Sequence, residues 1–417
     1  MKRLFSLLLV TAMLLTLGVN VLAQEETTIT FALWDENQKP VFDEIVKVFE
    51  EENPGYKVEI QLTPWSQYWT KLDAAIGADT AADVFWMNTY LPKYAKAGVI
   101  EPLDAYIEKD QVDLDAYVPA VRDAYIIEGV TYALPKGMDT VQVFYNKAIF
   151  EANGVPLPEK GWTWDDMVAL GTQLKDKIAE KGTGEYPLVM ELDPQPSYFN
   201  FIPQNGGFIL SEDKTMAGFD QQGTIDSYKK VLKLMEDGIM PDSKVLSDTK
   251  GTELFLSQKA AILFMGSWNA LVLENASFAE NIGVVPMPSM DASNVSVMGG
   301  LGFAMNANAR DKDSAWKLIQ FLAGETSNNM QAEGKIDMPA LISSQEAYTA
   351  NFTHLDTALF YEIAQSAYFF PTSEKVAEWL PVVMEYSSQI LSGAITPEEG
   401  AQQIQEQMQA VLDTETK

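Results

Sequence analysis

The sequence holds no cysteine and a single histidine, and its 29 basic residues face 59 acidic ones. Without cysteine there is no disulfide, no thiolate nucleophile and no lipid-bearing cysteine behind a leader, so a hydrophobic core must carry the fold. The one imidazole, His354, sits in the polar run Asn351-Phe352-Thr353-His354 with no G-x-S-x-G elbow to serve, and reads as an ordinary surface or packing residue. No HExxH motif occurs, and zinc would have to be held by carboxylates with at most one imidazole. Asp311-Lys312-Asp313 starts like a calcium loop, but Ala315 and Trp316 stand where further ligands and the glycine belong, and Leu322 takes the closing glutamate position. Neither GGLG around Gly300 nor QNGG around Gly206 brings the lysine of a phosphate loop. No catalytic residue, metal or cofactor is therefore expected. A formal net charge of −30 repels a phosphate backbone, and no basic stripe with interleaved aromatics offsets it, which excludes nucleic acid as a partner. The acid excess reads as a solubilising surface. Long apolar runs are also missing beyond the N-terminus, where no segment reaches the ~18 residues a membrane span requires.

What is present begins with a leader. Lys2 and Arg3 precede the apolar stretch Leu4 to Leu17, and Val21-Leu22-Ala23 forms an A-x-A-like cleavage site. Export with cleavage after Ala23 is expected; with no cysteine at the cleavage site the product is not a lipoprotein, and a soluble exported protein fits a periplasm. At 417 residues, 47% hydrophobic, the mature chain is globular and too long for one typical core, so two domains or lobes are expected. Thr27 to Leu33 reads as a strand; Phe42, Ile45, Val46 and Phe49 recur at helical spacing; Asn53-Pro54-Gly55 stops that helix; Tyr56 to Leu62 alternates as a second strand. This is a βαβ unit with parallel pairing, and an open α/β sheet of that kind presents its ligand cleft beyond the strand C-termini. Thr163 with Asp166, and Thr396 with Glu399, predict capped helix starts, while Asp193 to Gly207 reads as loop.

The distribution of aromatics and amides follows the strand exits. Trp34 ends the first strand and leads to Gln38, Trp86 precedes Asn88-Thr89-Tyr90, Tyr198 and Asn205 lie in the irregular stretch, and Trp268 follows Gly266-Ser267. Aromatic faces bury apolar C–H surface while amides and carboxylates fork hydrogen bonds to hydroxyls, a pairing suited to a neutral polyhydroxylated ligand such as a sugar. Core packing competes with this reading: Trp86 suits core and cleft equally, Trp65 suits core or rim, and Trp268 favours the cleft. A polyamine would also suit acidic and aromatic walls. Paired carboxylates leave a secreted glycoside hydrolase as the enzymatic alternative.

Five stretches in order carry a resemblance: ADVFWMNTYLPKYAKAGVIEPLD, YALPKGMDTVQVFYNKAIFEANGV with WTWDDM, FLSQKAAILFMGSWN, GGLGFAMNANARDKDSAWKLIQFL and ITPEEGAQQI. The chain resembles the sugar-type extracellular solute-binding proteins of ABC importers, the group that contains the maltose-binding protein. That resemblance implies a two-lobed periplasmic-binding-protein fold (type II), each lobe an α/β sheet, joined by hinge strands. It implies discontinuous lobes, 24–138 plus 286–344 and 139–285 plus 345–417, after a leader of 1–23. It further implies a non-enzymatic, monomeric protein that captures a small-molecule ligand, a carbohydrate, and hands it to the transmembrane subunits of an ABC permease. Carried over by position, Trp268 matches the sugar-stacking tryptophan, Asp139 the acidic residue before the YNK strand, and Tyr198 the aromatic of the mid-chain loop. Asn88 to Tyr90 and Trp34 to Gln38 match two strand exits, Trp379 a late cleft tryptophan, and Gly300 and Asn205 complete the expected ligand-binding set. Thr89-Tyr90 replaces the charged pair of the maltose binder, so maltose itself is not implied.

Overall fold

A computed structural model describes residues 26–290 and 293–415; the leader and its cleavage site lie outside the described residues. The chain opens as the sequence pattern predicts. Strand β1 (Thr27–Leu33) runs into helix Lys39–Glu52, which buries Phe42, Ile45, Val46 and Phe49, and returns as β2 (Tyr56–Leu62). β1 and β2 pair in parallel along their whole length, Thr27 opposite Tyr56 through Leu33 opposite Leu62. The wholly buried β3 (Val84–Met87) joins the other side of β1, also in parallel. After a small antiparallel hairpin, β4 (Ile126–Ile127) and β5 (Val130–Thr131), comes β6 (Ala133–Asn146), twice the length of β1. The remaining strands are β7 (Tyr186–Met190), β8 (Ala260–Gly266), β9 (Ile282–Val285), β10 (Val297–Met305), β11 (Met338–Pro339) and β12 (Tyr368–Phe369). The main sheet runs β2-β1-β3-β10-β6-β8-β7, with β9 and β11 also on β6 and β12 on β10.

The two lobes share β6. Its first half, Ala133 to Thr140, pairs antiparallel with β10; its second half pairs with β8 from Val141 to Tyr145 and with β9 from Val143 to Asn146. Changing partner in mid-strand interrupts the ladder, and a buried amide without a partner is costly. Two serine hydroxyls meet that need. Thr140 N donates to Ser267 Oγ at 3.2 Å, and Val141 N donates to Ser296 Oγ at 2.8 Å.

Later crossings are also marked by hydrogen bonds. Trp162 Nε1 donates to the carbonyl of Pro286 at 2.9 Å and Gln204 Nε2 to that of Val295 at 2.7 Å, so both residues stay with the 162–204 portion until β10 begins. Helix Gln345–Asn351 packs on helix Glu325–Glu333, on the β1–β3 side, and helix Ala358–Ala364 packs on the second half of β6 through Phe360 and Phe144. The chain therefore changes packing partner around residues 352–357.

Local rules hold at both capped helices. Thr163 and Thr396 each accept from the backbone N–H three residues on, and Asp166 and Glu399 accept in return from the cap residues. They fail in the mid-chain stretch, where Tyr198–Gln204 is helical in spite of Pro203. Tyr198, Phe199, Phe201 and Ile202 are all buried there, and tertiary packing of four large side chains overrides a weak local propensity.

Ser296→Ala should leave the Val141 amide buried without an acceptor and lower unfolding stability by about 1–3 kcal/mol, measured by urea denaturation.

Candidate functional site

The exits of β1 and β3 meet in an aromatic wall. The Trp34 ring, half-buried, lies edge-on to Tyr68 at 4.9 Å, to Trp86 at 5.0 Å and to Trp65 at 5.3 Å. Trp69 continues the cluster to Tyr90 at 4.6 Å. Edge-to-face contacts align positive ring edges with negative ring faces and hold this wall rigid. Trp86 itself is fully buried, which favours the core side of the two readings the sequence allows, whereas Trp65 at the rim is 49% exposed. Tyr68 donates to the carbonyl of Trp86 at 3.0 Å.

Beneath the wall lies a lysine with no exposed side-chain surface. Lys136 Nζ is 2.7 Å from Asp337 Oδ2, donates to Gln38 Oε1 at 3.0 Å, and stands 4.7 Å from the centroid of Trp86. A buried ammonium is tolerable only with such partners. Gly137 makes the arrangement possible, since a Cβ there would fall 2.3 Å from Asp337 Oδ2. Thus Gln38, expected at the cleft edge, is committed to orienting Lys136.

At the partner change of β6, Asp139 Oδ1 accepts from Gly299 N at 2.9 Å and from Gln195 Nε2. Gly299 lacks the Cβ that would come 2.7 Å from the same oxygen. Burial, and then the negative charge of Asp337, push the Asp139 carboxyl up to about 7, against the opposing pull of Gly299, Gln195 and Lys136. Burial likewise raises Asp337, with Lys136 opposing it.

Across the partner change, β8 ends at Gly266 and the chain turns through Ser267–Asn269 into helix Ala270–Glu274. The half-buried Trp268 ring lies over Gly266 so closely that a Cβ there would overlap it, at 1.8 Å from Cζ3. Gly266 is thus the seat of the indole. Ser267, which holds Thr140, fixes the turn from below.

The remaining candidates have other duties. Asn88 Oδ1 accepts from Tyr90 N at 3.0 Å and, with Tyr125, Phe369 and Thr372, lines a cavity of ≈ 10 Å³, about the room of one water. Thr372 Oγ1 donates to the carbonyl of Thr89 at 2.7 Å, so the segments around residues 89 and 372 touch at this point. Gly300 faces the same contact, its virtual Cβ 3.0 Å from Val121 and 3.4 Å from Phe369. Tyr198 is 1% exposed and packs on Phe199 and Tyr228, and Trp379 is fully buried and donates to Ser373 Oγ at 2.8 Å. Asn205 donates to the Gly223 carbonyl at 2.9 Å. As placed, Tyr198 and Trp379 pack in the core rather than offer surface, and the half-buried Asn205 has its amide engaged by Gly223. Trp268, Asp139, Asn88, Tyr90 and Trp34 retain some.

Sequence reading missed Lys136, Asp337 and Gln195. Lys136 carried a signal, a lone charge inside the apolar run ALPKGM, whereas Asp337 lies two positions after Lys335 in KIDMPA and does not stand out. Gln195 had none.

Because Asp139 titrates higher folded than at its ordinary value of 3.8, the folded state holds the proton more tightly. Its ionisation penalty is absent below about pH 4, grows through the interval and is complete above about pH 7. Asp139→Asn should raise stability by on the order of 2 kcal/mol at pH 8 and leave it nearly unchanged at pH 4, read from thermal melts.

Residues 35–329 match the family model described as bacterial extracellular solute-binding protein. A maltotriose-binding protein of Pyrococcus abyssi is 26% identical over 355 residues, spanning 82% of this chain and 73% of that one. A galactooligosaccharide-binding protein of Bacillus subtilis is 23% identical, spanning 75% and 72%. Among solved structures, an ABC substrate-binding protein of Listeria monocytogenes in complex with cycloalternan superposes with a TM-score of 0.85 at 22% identity, covering 94% of this chain and 100% of the other. The GacH receptor of Streptomyces glaucescens, solved unliganded and with acarbose, gives 0.84 at 21% identity, with coverage of 94% and 100%. At these identities the superpositions establish the fold.

Proposed function

This chain belongs to the bacterial extracellular solute-binding protein family, and from that premise we propose that it captures a mono- or oligosaccharide between its lobes and delivers it to an ABC-type membrane permease. The observation that carries the reading is the pairing, across the partner change of β6, of an indole laid over Gly266 with the polar set Asp139, Gln195 and Gly299. A flat apolar face beside a carboxyl–amide fork suits a pyranose, whose ring has C–H faces and hydroxyl edges. Trp268 is the platform, Asp139 with Gln195 the hydroxyl-binding fork, and Trp34, Asn88 and Tyr90 the opposite wall. The lobes divide at 140/141, near Val297 and around 352–357, with β6 as the principal hinge. Closure follows from the ligand's greater affinity for the closed form. No residue is assigned a catalytic role. The protein acts as a periplasmic monomer without a lipid anchor, its leader removed after Ala23.

Lys136 already neutralises Asp337, which favours a neutral ligand over a polyamine. A thermal-shift screen across sugars and polyamines should show a rise in melting temperature with a sugar; a rise with polyamines alone would reassign the solute class. Incubation with labelled oligosaccharide should return it intact, and a cleaved product would point to a hydrolase. Trp268→Ala should weaken sugar binding about 10–100-fold while unfolding stays cooperative, as read by calorimetric titration and denaturation.

A further inference from the structure

Six residues after Trp268, the short helix ends in a carboxylate that faces away from solvent. Glu274 is 5% exposed. Its oxygens accept from three consecutive backbone amides, Thr353 N at 2.6 Å, His354 N at 3.2 Å and Leu355 N at 3.2 Å, and lie 3.3 Å from Lys335 Nζ. Residues 353–355 belong to the segment by which the chain passes between lobes. Lys335 follows helix Glu325–Glu333 of the β1–β3 lobe and takes a left-handed conformation, φ 59°, that a non-glycine residue adopts only at a cost. A glycine would take that backbone without strain; the lysine supplies an ammonium to Glu274 and, at 5.3 Å, to the Phe352 ring.

The helix from Ala270 to Glu274 is thus fastened at both ends. Ser267 ties its approach to the partner change of β6, and Glu274 ties its end to the interlobe segment and to the other lobe. Trp268 lies between the two fastenings. We infer that Glu274 is a positioning residue, a pin that sets the orientation of Trp268 according to the relative placement of the lobes. The inference rests on the reading of Trp268 as the ligand platform. Burial works against the charge of Glu274, but the three amides and Lys335 outweigh it and hold the carboxyl below the ordinary glutamate range, so the pin is anionic at neutral pH.

Two variants test it in the full-length mature protein. Glu274→Gln keeps the shape and removes the charge, while Lys335→Gly removes the ammonium and relaxes the backbone. With 5-fluorotryptophan incorporated, the Trp268 resonance is assigned by its loss in Trp268→Phe. It should shift or broaden in both variants while the resonances of Trp34 and Trp86 stay in place; a stationary Trp268 resonance overturns the pin. Titration with maltotriose then gives the functional arm. Glu274→Gln should weaken binding about 5–20-fold on the wild-type background, a coupling of about 1–2 kcal/mol, and by much less on Trp268→Ala. Equal losses on both backgrounds also overturn the pin. If the resonance moves but Trp268→Ala leaves maltotriose affinity unchanged, the pin stands and the platform role of Trp268 fails.

Discussion

One strand joins the two halves of the main sheet, and the rest of the molecule follows from how its backbone hydrogen bonds are satisfied. β6 is paired with β10 up to Thr140 and with β8 and β9 beyond it. A continuous ladder would have made one rigid body. The change of partner leaves two amides to side chains, and the serines that accept them come from the ends of neighbouring strands, Ser267 after β8 and Ser296 before β10. Side-chain hydroxyls rotate more freely than a ladder shears, which is the physical basis for the hinge proposed at this point. Asp139, Gln195, Gly299 and the seat of Trp268 are gathered at the same crossing, so the proposed ligand-binding groups and the proposed hinge share one place in the fold.

Charge inside the protein is arranged differently from charge outside it. The acidic surface is spread among many solvated side chains, and its exposed ion pairs contribute little each. Lys136 and Asp337, by contrast, are both buried and hold each other in a low-dielectric setting, with Gln38 and the Trp86 face completing the shell of the ammonium. Removing either partner would leave the other charge stranded. Gly137 leaves room for the Asp337 carboxylate and Gly299 gives Asp139 a backbone N–H, so the polar floor depends as much on absent side chains as on present ones.

Legibility in the sequence tracked the range of the interactions. The β1–helix–β2 unit and both capping boxes were readable because they are set by neighbours within a few residues. Trp268 was singled out because Gly266-Ser267 precedes it, and Gly266 proves to be its seat. Tyr198–Gln204 was not readable as a helix, since its stability comes from burial against distant residues and not from its own propensities. Asp139 entered through family resemblance and nothing local marked it. Lys136 and Asp337 stand about 200 positions apart, and only the fold pairs them.

The position of β10 between β3 and β6 bears on how the protein is made. β3 and the first half of β6 each present an open edge until Val297–Met305 is available, roughly 150 residues after β6 ends. At ribosomal rates of about 5–20 residues per second, those edges wait on the order of ten to thirty seconds. During that interval the nascent chain offers unpaired apolar strands, an invitation to aggregation that a holding chaperone would suppress. The same delay keeps the first lobe unfinished until most of the polypeptide exists, and an unfinished chain is the form that can still be threaded through a translocation pore.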